Sequence, residues 1–190
     1  EFDKKGNPGV CYYDRNLGVL KYAKVERGRW NVETVAQAGF RHTGLTSSLV
    51  FDDLNNPCVC FSGHDETLKY ASKKNGSWVI EQPDAVRSSG GYCSLALKPG
   101  GEPVISYQAN DGMYVAKKLA GIWTKEKIDG PGGKTSLLIN SSGNIQVYYM
   151  GKTVQQLEKT SKKEKSAPAP APAQWVLKRA FNDGGRWKLS

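Results

Sequence analysis

The sequence predicts an all-β fold, a β-propeller of four four-stranded blades. Three observations carry it. A strand–turn–strand unit recurs four times, a tryptophan recurs at one place in each unit, and glycine-rich turns separate the units. The chain has 190 residues, 38% of them hydrophobic and 10% aromatic, enough for a core of domain size. Its 21 glycines suit a fold with many turns.

The units are legible one by one. The first is "PGVCYYDRNLGVLKYAKVERGRWNVETV" from Pro8, and the second is "PCVCFSGHDETLKYASKKNGSWVIEQP" from Pro57. The third is "PVISYQANDGMYVAKKLAGIWTKEKID" from Pro103. The fourth starts as "IQVYYMGKTVQQLEKTSKKEK" from Ile145 and resumes at "QWVLKRAF". Each runs strand, turn, strand, turn, then a strand opening on Trp30, Trp78, Trp123 or Trp175, with spacings of 48, 45 and 52. Another strand precedes three of them: "SSLVFDD", "CSLALKPGG" and "TSLLINSSG". Alternation in "SLAL" and "VISY" around "KPGGEP" marks a hairpin, which cannot bury a core alone. Four strands per repeat, at a period of roughly 45 residues, is the pattern of a propeller blade. The tryptophans are then expected to fill the space between adjacent sheets.

The expected blades are 45–83, 92–129, 134–182, and 186–190 together with 1–36. The chain ends on "GGRWKLS", which matches the first half of an inner strand, and opens on "EFDKKGNP", which matches the second half. The two ends are expected to close the ring, giving a monomer without free sheet edges. Residues 161–174 include "SAPAPAPAQ", an extended Pro/Ala stretch read as a long exposed loop between the third and fourth strands of one blade.

The formal net charge is +9, from 27 Lys and Arg against 18 Asp and Glu. That favours acidic partners, or simply coats a soluble surface with lysine. No nucleic-acid recognition signature is present, and no apolar run reaches the 18 residues of a membrane helix. The cysteines Cys11, Cys58, Cys60 and Cys93 form C-x-C rather than paired C-x-x-C motifs, which argues against structural zinc. A bridge between Cys60 and Cys93 is left open.

Ser94-Leu95-Ala96-Leu97, Pro103-Val104-Ile105-Ser106-Tyr107, Leu68-Lys69-Tyr70-Ala71, and the pairs Trp78/Glu81 and Trp123/Glu126 form one pattern. It resembles a tandem repeat of bacterial extracellular and cell-surface proteins, taken to form sialidase-like or WD-like blades. The resemblance implies a secreted or cell-surface protein. The sialidase Asp-box is absent. The resemblance also implies that the turns after the second and fourth strands share one face, around the channel mouth.

Candidate ligand-binding residues on that face are Asp14, Asp65, Asp111, Arg41, Arg87, His64 and Trp187. Carboxylates and guanidinium groups bind polar or charged ligands, and a tryptophan face stacks on a sugar ring. The three aspartates also suit turn chemistry, in which the side chain bonds its own backbone. No cofactor is expected, although a ring of carboxylates would suit a hard cation such as calcium in the channel. The expected function is a binding or scaffold module for carbohydrate or protein. The alternative is a glycosidase or lyase that uses His64 and the aspartates as acid and base.

Overall fold

A computed structural model describes residues 1–37, 46–153, 174–183 and 185–190. The first sheet holds β1 (Gly9–Asp14), β2 (Val19–Glu26) and β3 (Arg29–Ala36). The second holds β4 (Ser47–Phe51), β5 (Pro57–Ser62), β6 (Leu68–Lys74) and β7 (Ser77–Asp84). The third holds β8 (Gly91–Leu97), β9 (Pro103–Ala109), β10 (Gly112–Leu119) and β11 (Ile122–Asp129). The fourth holds β12 (Gly132–Ile139), β13 (Ile145–Lys152), β14 (Trp175–Asp183) and β15 (Arg186–Leu189). Within each sheet the strands lie in chain order, inner to outer, and every pair is antiparallel. The fold is a β-propeller, as the sequence predicts.

Local chemistry sets the turns. The third and fourth strands of the second blade are joined by Asn75-Gly76, both at positive φ, and Arg27-Gly28 and Ala120-Gly121 do the same in the first and third. Two successive left-handed residues make the type I′ hairpin, whose twist matches that of the strands. The turn from inner to second strand is pinned by a side chain. Asp52 Oδ1 accepts from the backbone N–H of Leu54 and Asn56, and Asn140 Oδ1 accepts from Ser142 and Asn144. Asp3 repeats the pattern on Lys5 and Asn7, and Phe2 bridges Pro8 as Phe51 pairs Pro57. Thus the N-terminal residues form the end of an inner strand and its turn.

The sheets pack in chain order, first on second, second on third, third on fourth. Each joint buries one apolar cluster. The recurring Ser-Leu of the inner strands has a function at the second and third joints. The N–H of Leu95 donates to Ser48 Oγ of the preceding blade at 3.1 Å, and that of Leu137 to Ser94 Oγ at 3.0 Å.

Two expectations about the chain ends are corrected. Lys152 pairs with Trp175, so β14 is the third strand of its blade; the expected loop at 161–174 lies, but for Gln174, outside the described residues and falls in the connection between the second and third strands. The C-terminal strand β15 pairs with β14, from Ala180/Leu189 to Asp183/Arg186. It is therefore the outer strand of the fourth blade, not the inner strand of the first. The cause is pairing capacity. With β14 in third place, its free edge accepts the next segment through the short turn around Gly185, which has positive φ.

Candidate functional site

The joints between blades share one register. On the outer strands, Trp78 and Trp123 each set a ring edge-on to a tyrosine of the preceding blade. The centroid distances are 5.6 Å to Tyr22 and 5.4 Å to Tyr70. Beside each tyrosine stands a glutamate three residues after that blade's own tryptophan position. Glu81 accepts from Trp123 Nε1 at 2.8 Å and from Lys118 Nζ. Glu126 accepts from Trp187 Nε1 at 2.7 Å and from Lys117 Nζ at 2.9 Å. Glu33 accepts from Lys73 Nζ at 2.6 and 2.7 Å, but Trp78 Nε1 has no partner among the described residues.

These joints open outward into grooves. The groove between the first and second blades has a volume of about 510 Å³ and is lined by Tyr22, Lys24, Asn31, Glu33, Asn56 and Lys73, among others. Its counterpart between the second and third blades, about 310 Å³, presents Tyr70, Ser72, Glu81 and Lys118. Both are closed at one end by the turn from inner to second strand and by the glycine hairpin of the outer strands. That end is opposite the turns after the second and fourth strands. Each groove contains a buried hydroxyl without a hydrogen-bond partner among the described residues, Tyr22 in the first and Ser72 in the second. Burying a hydroxyl unpaired is costly, so such groups mark places for a ligand or water. Burial opposes ionisation of Glu81, but Lys118 and Trp123 outweigh it and hold the carboxyl below its ordinary value. At Glu126 the Lys117 ammonium does the same.

At the other end of the joints lies a polar clamp. Tyr107 donates its hydroxyl to Asp84 at 2.8 Å, and Lys125 donates to the same carboxylate at 2.7 Å. Tyr149 and Lys178 repeat this on Asp129, at 2.6 and 2.8 Å. The first joint has Phe61 and Ala36 in those two positions, an apolar pair with neither hydroxyl nor acceptor.

The residues expected on the channel-mouth face are placed as follows. Asp14 receives Lys21 at 2.8 Å and the N–H groups of Asn16 and Leu17. Asp65 receives Lys69 at 2.7 Å and both donors of Thr67. Burial pushes the Asp65 pKa up, but these donors outweigh it and bring the value to about 2. Asp111 receives Lys127 and the Tyr114 hydroxyl. Each carboxylate is thus engaged by its own sheet: Asp14 and Asp65 through turn chemistry and a lysine, Asp111 through the side chains of Tyr114 and Lys127. His64 is exposed, Arg87 lies 3.7 Å from Glu66, and Arg41 is outside the described residues. Among the described residues no group of three or more His, Cys, Asp or Glu gathers to hold a metal ion. A mouth cavity of about 460 Å³ is lined instead by Cys11, Tyr12, Ser47, Tyr92, Cys93 and Thr135. All four cysteines are free.

The tryptophans need a correction. Trp78 and Trp123 pack between blades as expected. Trp175 opens a third strand and is half exposed, under the Lys152 ammonium at 5.3 Å. Trp187, expected at the mouth, holds the inter-blade place of the fourth blade. Trp30 is half exposed, with no other sheet of the described residues packed on that face. The sequence signal for the grooves is a glutamate three residues after Trp30, Trp78 and Trp123.

No protein-family model matches the chain, and no curated protein matches it. Solved structures do. AofleA from Arthrobotrys oligospora is 16% identical, with a TM-score of 0.63, covering 97% of this chain and 52% of that one. A mutant of the Aleuria aurantia lectin, in complex with alpha-methyl-L-fucoside, is 14% identical with a TM-score of 0.66, covering 97% and 55%. A protein of unknown function from Dyadobacter fermentans is 12% identical with a TM-score of 0.57, covering 79% and 47%. At these identities the likeness is one of fold. The chain spans about half the length of these three structures.

Proposed function

We propose that the chain is a glycan-binding module whose sites are the grooves between blades. The observation that carries this is the unpartnered Tyr22 hydroxyl beside Glu33 and Lys73 in the groove between the first two blades. A sugar hydroxyl both donates and accepts. It can accept from Tyr22 or from Lys73 while donating to Glu33. Val32 and Pro57 supply apolar surface for the sugar's C–H face. Few polar groups converging on a cleft of this size is the usual form of a small-ligand site. The fold is shared with a lectin solved in complex with alpha-methyl-L-fucoside, which makes a fucoside the first ligand to try. Repetition of the groove in the next joint makes binding multivalent.

A glycan array probed with the labelled chain tests this, with Glu33→Gln as control. A defined set of glycans bound by the chain and weakened in Glu33→Gln supports the reading. A blank array, or hits unchanged in Glu33→Gln and Tyr22→Phe, overturns it. A blank array would also redirect the search to a protein partner.

A further inference from the structure

Among the described residues, the outermost blades each present one sheet face with no blade against it. Leu20, Leu68 and Met113 hold one place on the third strand of the first three blades, and each is 0% exposed. Leu177 holds that place in the fourth blade, since it pairs Met150 as Met113 pairs Gln108, and it is 70% exposed. Leu138, on the same trailing face, is 56% exposed, whereas its counterparts Val50 and Ala96 pack into the next joint. The leading face of the first blade mirrors this. Val10 and Tyr12 are 45% and 38% exposed, where Ile105 and Tyr107 are 0%. Trp30 stands on the same face at the place of Trp78 and Trp123.

We propose that a second copy of this chain covers both faces. The trailing face of one copy's fourth blade seats on the leading face of the other's first blade. The reverse pairing closes a two-chain ring. Three observations support it. Both faces continue the inter-blade interface, position for position. No strand of the first sheet packs extensively on a strand of the fourth among the described residues. Finally, the four blades overlay about half the length of a longer chain of the same fold. A heterologous contact that closes on itself yields a finite assembly rather than a filament. This inference is independent of which ligand the grooves bind.

Sedimentation equilibrium of the full chain tests it, with Leu177→Arg and Tyr12→Arg. Both side chains project from exposed faces, and circular dichroism checks that the variants keep the fold. The expected mass is twice the 20.8 kDa of one chain. Each variant alone falls to a single chain. An equimolar mixture regains the pair, at higher concentration, because one of its two joints then unites two unaltered faces. A single-chain mass at every concentration overturns the proposal. So does a pair that survives both substitutions, a mixture that stays monomeric, or a mass beyond two chains.

Discussion

The joint between the first two blades and the joint between the second and third use one register and fill it differently. In the first, Phe61 meets Ala36, and Trp78 and Tyr22 keep polar atoms unpaired among the described residues. In the second, Tyr107 is tied to Asp84 and Trp123 to Glu81. The repeat dictates which positions meet. The residue types decide whether the joint is sealed by apolar packing, locked by polar bonds, or left able to accept a ligand. A tyrosine appears opposite an aspartate and a phenylalanine opposite an alanine, so each buried hydroxyl at this place has its acceptor.

The largest test of that difference is Asp84→Ala. It leaves the Tyr107 hydroxyl buried and unpaired and removes the partner of Lys125, so it should cost about 3–5 kcal/mol in chemical denaturation. Tyr107→Phe alone should cost about 1–3 kcal/mol. The double variant converts the second joint to the pattern of the first. It should recover the part of the loss that comes from the Tyr107 hydroxyl, because both partners of that bond are then gone, while Lys125 and the Val86 N–H still lack the carboxylate. A double variant as unstable as the sum of the singles contradicts this. The converse substitution, Phe61→Tyr, sets a hydroxyl against Ala36 and should destabilise by about 1–3 kcal/mol.

A smaller contrast concerns the tryptophans. Trp123→Phe removes a donor from Glu81, with an expected loss of about 1–3 kcal/mol beyond any packing change. Trp78→Phe removes a buried N–H with no partner among the described residues, so it loses packing but no hydrogen bond, and the cost of burying that N–H is relieved. Equal losses in thermal unfolding would mean that the Trp123–Glu81 bond contributes nothing.

The smallest effect is acid dependence. Burial alone would raise the Asp129 pKa, but Lys178, Tyr149 and the Gly130 N–H outweigh it, and Glu81 is lowered in the same way. A carboxyl depressed in the folded state stabilises above its unfolded pKa, near 4, and that stability is lost as pH falls through the folded value. The denaturation midpoint should be flat from about pH 7 to 5 and fall below about 4. Glu81→Gln should remove part of that acid limb. An unchanged limb sinks the assignment.

Much of the fold was legible in the chain. Trp78, Trp123 and the Ser-Leu pairs recur at fixed places because each joint reuses them. The fourth blade departs from expectation because Trp175 mimics the tryptophan that opens an outer strand, and "GGRWKL" mimics the start of an inner one. Only the pairing of Lys152 with Trp175 separates the two. The grooves were harder to find. Glu33 comes from one repeat, Lys73 from the next, and Asn56 from a turn between them. Scanning one repeat at a time shows acidic turns such as Asp14, Asp65 and Asp111, whereas a site between repeats emerges only once lateral neighbours are known.

The most direct measurement is calorimetric titration of alpha-methyl-L-fucoside into the unchanged chain, Tyr22→Phe and Asp111→Asn. A groove site predicts saturable binding by the unchanged chain, equal binding by Asp111→Asn, and weaker binding by Tyr22→Phe. Binding lost in Asp111→Asn and kept in Tyr22→Phe would contradict it and put the site at the channel mouth.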